Sequence, residues 1–238
     1  MKDQYVGDEN DYRKYGLLRL LAADGVPATV VWMRRWDDGR SDGRRTAYLD
    51  RPERWQRYDP ELFATLADLV RHGQRRLSRV EEAGLLPGAH FFSELLPEDA
   101  AGREAYFALL LRRVSGRDLL FLDPDNGIEV PSVPYGRSGS SRYLYLHELE
   151  ALSRAGASLF VYQHFPRVAR APFVRALVER CLAVTGGCLA VSFETRRVLF
   201  LLLPQREAEG LLLERAKDAA RTWKGEIEVA VHRAEGRH

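Results

Sequence analysis

Lysine is scarce in this chain: only four of its 36 basic residues, Lys2, Lys14, Lys217 and Lys224, are lysine, and the rest are arginine. Genome base composition explains such a bias as readily as a demand for bidentate phosphate contacts. The formal net charge of +2 likewise selects no class of partner. Cysteine is nearly absent. Cys181 and Cys188 have no CxxC spacing and no histidine at a metal-ligand interval, which excludes a disulfide scaffold and a zinc site. No uncharged apolar run approaches the roughly 18 residues needed to cross a bilayer, and the opening MKDQYVGDENDYRK is charged where a signal peptide is apolar. A Walker loop, a nucleophile elbow and internal repeats are also missing. With 45% hydrophobic and 29% charged residues in 238, the composition is that of a globular protein. The expectation is one cytoplasmic domain over residues 1–238, without membrane contact and with its oligomeric state open.

The pattern along the chain alternates. Residues 11–23 place Tyr12, Tyr15 and Leu18 on one stripe of a helix, with Asn10 or Asp8 as its N-cap. A β-branched and aromatic run follows at 29–33, then a polar loop at 34–45. Helices are predicted at 60–71, where Asp59 caps and Pro60 opens the first turn, and at 77–83. A strand over 89–94 ends at Glu94, and a helix covers 101–114. Residues 118–123 (DLLFLD) are apolar enough for a strand buried on both faces of a parallel sheet. After a Pro/Gly/Ser-rich loop at 130–141, a candidate lid, come a helix at 146–154, a strand at 157–163 and a helix at 172–184. A hairpin of 188–193 with 198–203, a helix at 205–223 and an edge strand at 226–232 close the chain. The fold class is therefore α/β: a three-layer, Rossmann-like, mostly parallel sheet with a C-terminal antiparallel hairpin.

In open sheets of this kind ligands bind past the carboxyl ends of the strands. The most informative segment there is Asp123-Pro124-Asp125-Asn126-Gly127. It puts a carboxylate at the mouth of the sheet, followed by a turn exposing an amide, a pairing suited to an amino group; Asp123 and Asn126 are the candidate catalytic residues. An Asx turn accounts for the same residues without any function. His164 follows the strand in VYQHFPR as a base or substrate contact. With Arg167, Arg170, Arg175, Arg34, Arg35, Arg44 and Arg45, it marks a mouth able to face phosphates. Asp125, His164 and Arg167 are the candidate substrate-binding residues.

Strand, Asp-Pro-x-Asn-Gly and loop resemble the (Asp/Asn)-Pro-Pro-(Tyr/Phe) motif of class I S-adenosylmethionine-dependent amino-group methyltransferases. Two further segments strengthen the likeness. Gly7-Asp8-Glu9-Asn10-Asp11-Tyr12-Arg13-Lys14-Tyr15 is similar to the Gly-Asn-x-x-Asp-x-x-Lys-His opening of the ribosomal RNA large-subunit adenine-N6 methyltransferase J family. Pro87-Gly88 ahead of Ser93-Glu94-Leu95-Leu96-Pro97-Glu98-Asp99 is similar to that family's Thr-Glu-Leu-His-Pro-x-Asp strand end. The chain also resembles, over nearly its full length, bacterial proteins of unassigned function that share the opening and the Asp-Pro-Asp-Asn-Gly turn.

The resemblance implies S-adenosylmethionine as cofactor and a nucleic-acid base as substrate. It places Lys14 and Asp11 at the cofactor, Glu94 on its ribose and Asp123 on the target amine. The departures are specific. No glycine-rich turn follows 29–33, where only Gly39 and Gly43 occur. Asn126 stands where an aromatic stacks on the flipped base, which leaves Tyr135, Tyr143 or Phe165 for stacking. One helix separates Glu94 from Asp118, so a strand-helix step of the family is missing. Two rival readings remain. One is a nuclease or phosphodiesterase holding Mg²⁺ or Mn²⁺ on Asp123, Asp125, Glu129, Glu94 and His164, although the spacing fits no EF-hand loop. The other is a cofactor-less nucleic-acid-binding protein on the same fold.

Overall fold

The structure, a computed structural model, describes residues 1–36, 43, 45–114, 116 and 118–234. Among them the elements run in the order α1 (Glu9–Leu21), β1 (Ala28–Val31), α2 (Pro52–Trp55), α3 (Pro60–Arg71), α4 (Leu77–Glu82), β2 (His90–Phe92), α5 (Ala100–Leu111), β3 (Leu119–Leu122), β4 (Gly127–Ile128), β5 (Tyr143–Leu144), α6 (Leu146–Arg154), β6 (Ser158–His164), α7 (Arg170–Thr185), β7 (Leu189–Glu194), β8 (Val198–Leu203), α8 (Glu209–Thr222) and β9 (Glu228–Arg233).

Seven strands form the central sheet in the order β2-β1-β3-β6-β8-β7-β9. β2, β1, β3 and β6 are parallel; β8 runs the opposite way between β6 and β7, and β9 is antiparallel to β7 at the edge. Every residue of β1, β3 and β8 is buried, as the unbroken Val and Leu runs require of strands covered on both faces. One layer packs Leu17, Leu18, Leu66, Leu212 and Trp223 of the α1, α3 and α8 side against the sheet. The opposite layer packs Phe107, Leu149, Val174 and Leu177 of α5, α6 and α7. This is the three-layer Rossmann-like arrangement, with the antiparallel C-terminal strands.

Three expectations are corrected. β1 stops at Val31 rather than residue 33, because Met33 takes φ +45°, outside any strand conformation. β2 stops at Phe92, so Glu94 lies beyond the strand, where the chain keeps to the sheet only through an isolated Arg34–Leu95 bridge. Residues 130–141 do not form an open lid: Gly139 N and Ser141 Oγ donate to Glu98 Oε1 (3.0 Å each), and Ser140 O accepts from Arg103 Nη1 (3.0 Å). Helix α1 also differs from a one-sided stripe. Besides Tyr12, Tyr15 and Leu18 it buries Asp11, Arg13 and Lys14, because its other face closes over the mouth of the sheet.

Candidate functional site

Helix α1 begins at Asp8, whose carboxylate accepts from the amides of Asn10 (2.8 Å) and Asp11 (3.0 Å), satisfying two of the free donors of the first turn. One turn on, Asp11 accepts from Gly7 N (3.1 Å) and Tyr15 Oη (3.2 Å). Its other oxygen lies 2.6 Å from Lys14 Nζ. Lys14 reaches over the Tyr15, Trp32 and Phe121 rings and places the same ammonium 2.7 Å from Asp123 Oδ2. Asp123 comes from the end of β3, its amide held by Val31 O (3.1 Å). The i,i+3 pair visible in the sequence is thus half of a buried Asp11–Lys14–Asp123 bridge, with Lys14 only 2% and Asp123 3% exposed.

Burial works against the Lys14 charge, but the two carboxylates outweigh it and push its pKa up. Burial raises Asp11. It also raises Asp8, with the Asp11 charge assisting, to about 7. Asp125 shows the reverse balance. Its burial is outweighed by the Met1 amino group (3.0 Å), Arg35 (2.7 Å) and Lys2 (3.7 Å), which hold it at about 2.

Met1, Asp8, Asp11, Lys14, Asp123 and Asp125 line a cleft of about 540 Å³ together with Tyr5, Asn10, Gly43, Arg45, Pro124, Asn126, Tyr162 and His164. The opening motif, the Asp-Pro-Asp-Asn turn and the end of β6, which are far apart in the chain, therefore converge on one place. Asn126 is held at the rim, its Nδ2 donating to Tyr143 Oη (3.0 Å) and its carbonyl accepting from Gln163 Nε2 (3.2 Å) and His164 N (3.2 Å). Gln163 Oε1 in turn accepts from Ile128 N (2.7 Å). Here Gly127 (φ +113°) is required: a Cβ would meet Gln163 Oε1 at 2.2 Å. His164 Nε2 meets Tyr162 Oη (3.1 Å); the residue is exposed, but partial desolvation of the ring lowers its pKa.

Other expected residues lie elsewhere. Glu94 is exposed and does not line the cleft, because β2 ends two residues earlier and the chain turns away. Glu98 and Asp99 of the same segment are structural: Glu98 accepts from Gly139 N and from the Ser140 and Ser141 hydroxyls, and Asp99 caps α5. Glu129 accepts from Leu146 N (3.2 Å) and faces Arg180 (3.5 Å). Of the groups proposed for Mg²⁺ or Mn²⁺, Glu94 and Glu129 thus lie apart from Asp123, Asp125 and His164, and no group of three metal-ligating side chains gathers among the described residues. Arg175 lines a separate cavity, Arg35 is committed to Asp125, and Arg44 and Gly39 lie outside the described residues. Of the stacking candidates, Tyr135 packs on His147 and Tyr145 and Tyr143 holds Asn126, while Phe165 lines a groove beside the cleft.

Sequence reasoning missed Asp8 as more than a cap, as well as Tyr162, Gln163, Arg196 and Arg197. Asp8 stands inside the opening motif and was legible there; the other four carry no local signal.

Fold and cleft define a Rossmann-like α/β protein with a charged cleft beyond the carboxyl ends of β3 and β6. No protein-family model matches the chain, and no curated protein matches it significantly. Among solved structures the chain is similar to the protein LPL1258 from Legionella pneumophila str. Philadelphia 1, of the family model DUF519. The two are 12% identical, with 98% of each chain covered and a TM-score of 0.43.

Proposed function

We propose that the chain is an S-adenosylmethionine-dependent methyltransferase acting on an exocyclic amine of a nucleic-acid base. The observation that carries the reading is the Asp123–Asn126 turn, set at the end of β3 in a cleft whose groups suit that cofactor. Asp8, which forms no ion pair among the described residues, can accept from ribose hydroxyls. Arg45, also without an acidic partner there, can hold a carboxylate, and Asp11 an ammonium. Asp8 takes the part the resemblance gave to Glu94.

When bound, the cofactor supplies a methyl group activated on a sulfonium. The protein's own work is positional: Asp123 accepts a hydrogen bond from the amine and turns its lone pair toward the donor, with Lys14 fixing the carboxylate. N-methylation releases one proton. That proton passes to water at the open mouth of the cleft.

Thermal unfolding with S-adenosylmethionine or S-adenosylhomocysteine tests the cofactor. At about 100 times Kd the ligand adds roughly 2.7 kcal/mol, an increase in Tm on the order of 5–10 °C for a chain of this size. Asp123→Asn is expected to lower turnover about a hundredfold or more while changing cofactor affinity less than about threefold. Equal loss of both sinks the role of Asp123.

A second reading, the cofactor-less nucleic-acid-binding protein, is favoured by a specific observation. The Met1 nitrogen donates to Met33 O (3.2 Å) and Asp123 O (3.1 Å), so residue 1 lies against the carboxyl ends of β1 and β3 and narrows the space for a cofactor. Absence of any shift with either nucleoside decides for this second reading.

A further inference from the structure

Beside the cleft, and sharing Arg45 and His164 with it, lies a groove of about 640 Å³ lined also by Phe165, Arg167, Arg170, Arg196 and Arg197. Its five arginines come from three separate segments, all are exposed, and no acid lines the groove. None of the five forms an ion pair among the described residues, whereas Arg13, Arg35 and Arg103 each sit within 2.9 Å of a carboxylate. Unneutralised guanidinium groups crowded into one concave strip repel one another, and a chain of anions relieves that repulsion.

The strip is built rather than incidental. Thr195 Oγ1 accepts from the amides of Arg197 (3.2 Å) and Val198 (3.0 Å), shaping the β7–β8 turn that carries Arg196 and Arg197. Arg170, at the start of α7, donates to the carbonyls of Thr195 and Arg196 and so ties the two segments together. Its guanidinium lies 4.8 Å from the Phe165 ring centroid, leaving an aromatic and a cation at the end of the groove nearest His164.

We propose that this groove is the track for the sugar-phosphate backbone of a single-stranded nucleic acid whose next base enters the cleft past His164. A single strand suits the cleft best because its bases reach the almost wholly buried Asp123 without the cost of unpairing and unstacking from a duplex. The proposal rests on the reading that the cleft takes a nucleic-acid base; it does not depend on the cofactor.

Fluorescence anisotropy of a labelled 12-nucleotide strand, as RNA and as DNA, tests it at about 50–200 mM salt. With four or five phosphates contacted, log K is expected to fall with log salt with a slope of about −3. Arg196→Ala with Arg197→Ala is expected to weaken binding at least tenfold and to reduce the slope by about 1.4. The pair Arg112→Ala with Arg206→Ala, exposed arginines outside the groove, is expected to bind like wild type. A flat salt dependence, wild-type affinity in the Arg196/Arg197 variant with its Tm unchanged, or equal affinity for a blunt duplex each overturns the proposal. Strand binding without a response to S-adenosylmethionine upholds the groove and removes the methyltransferase. A cofactor response without strand binding does the opposite.

Discussion

At the scale of single residues, the mouth of the sheet is governed by how charges are balanced where water is excluded. Asp11, Lys14 and Asp123 balance as a bridge, and Asp125 is over-compensated by the cations around it. Asp8 is under-compensated, and this gives a prediction whose sign is definite. The folded protein holds the Asp8 proton up to about pH 7, whereas the unfolded chain releases it near 3.8. Between those values the folded state binds more protons, so this group's contribution falls as pH rises and is fully lost above about 7. Asn at position 8 keeps the cap and has no charge to desolvate. Asp8→Asn is therefore expected to be more stable than wild type at pH 8, by a few kcal/mol at about 1.4 kcal/mol per pKa unit, with the gap closing toward pH 5. Calorimetric melting at both pH values checks it; a gap of equal size at both sinks the assignment.

At the scale of elements, the segment between β4 and β5 is held by Glu98 and, from the buried side, by Arg103. Arg103, fully buried on α5, forms a bidentate pair with Glu148 (2.9 and 2.8 Å) and donates to Ser140 O and Tyr143 O (3.0 Å each). Arg103→Ala removes the only charge partner of buried Glu148 among the described residues and one donor each from Ser140 O and Tyr143 O, so a loss of about 3–5 kcal/mol is expected. Hydrogen exchange at residues 139–142 is expected to rise with it. A loss below about 1 kcal/mol with unchanged exchange would show that the segment holds itself. Residues 130–141 read as a linker-like loop and candidate lid because nothing in that stretch reveals a partner in a helix some 37 residues upstream. Where partners are local, the reading was accurate: α3 and α6 run at the residues predicted, and Asp59 caps α3 through Leu62 N (3.1 Å). β1 and β2 fell short at their carboxyl ends, where backbone geometry at Met33 and the turn toward Glu94 override the apolar pattern.

At the scale of the whole molecule, one sheet runs unbroken from β2 to β9 with a core on each face, so its two halves share β3 and β6. Urea unfolding is expected to be a single transition, with tryptophan fluorescence and far-ultraviolet circular dichroism giving the same midpoint. Separate midpoints would mean that the antiparallel C-terminal strands and their helices unfold as a unit of their own. Hydrophobic periodicity, caps and strand-end residues, all local in the chain, were enough to determine the α/β class, most of the elements, and Asp123, Asn126 and His164 as the residues to watch, while Asp11 and Lys14 came only from the family resemblance. Tertiary structure alone decided that Lys14 bridges Asp11 to Asp123, that Glu94 faces solvent, and that Arg196 and Arg197 join Arg45 and Arg167 in one groove. The reason is physical. Local patterns follow from backbone sterics and the burial of neighbouring side chains, whereas which distant charges meet depends on strand order and on how β8 is placed between β6 and β7, a long-range arrangement that no short stretch of sequence carries.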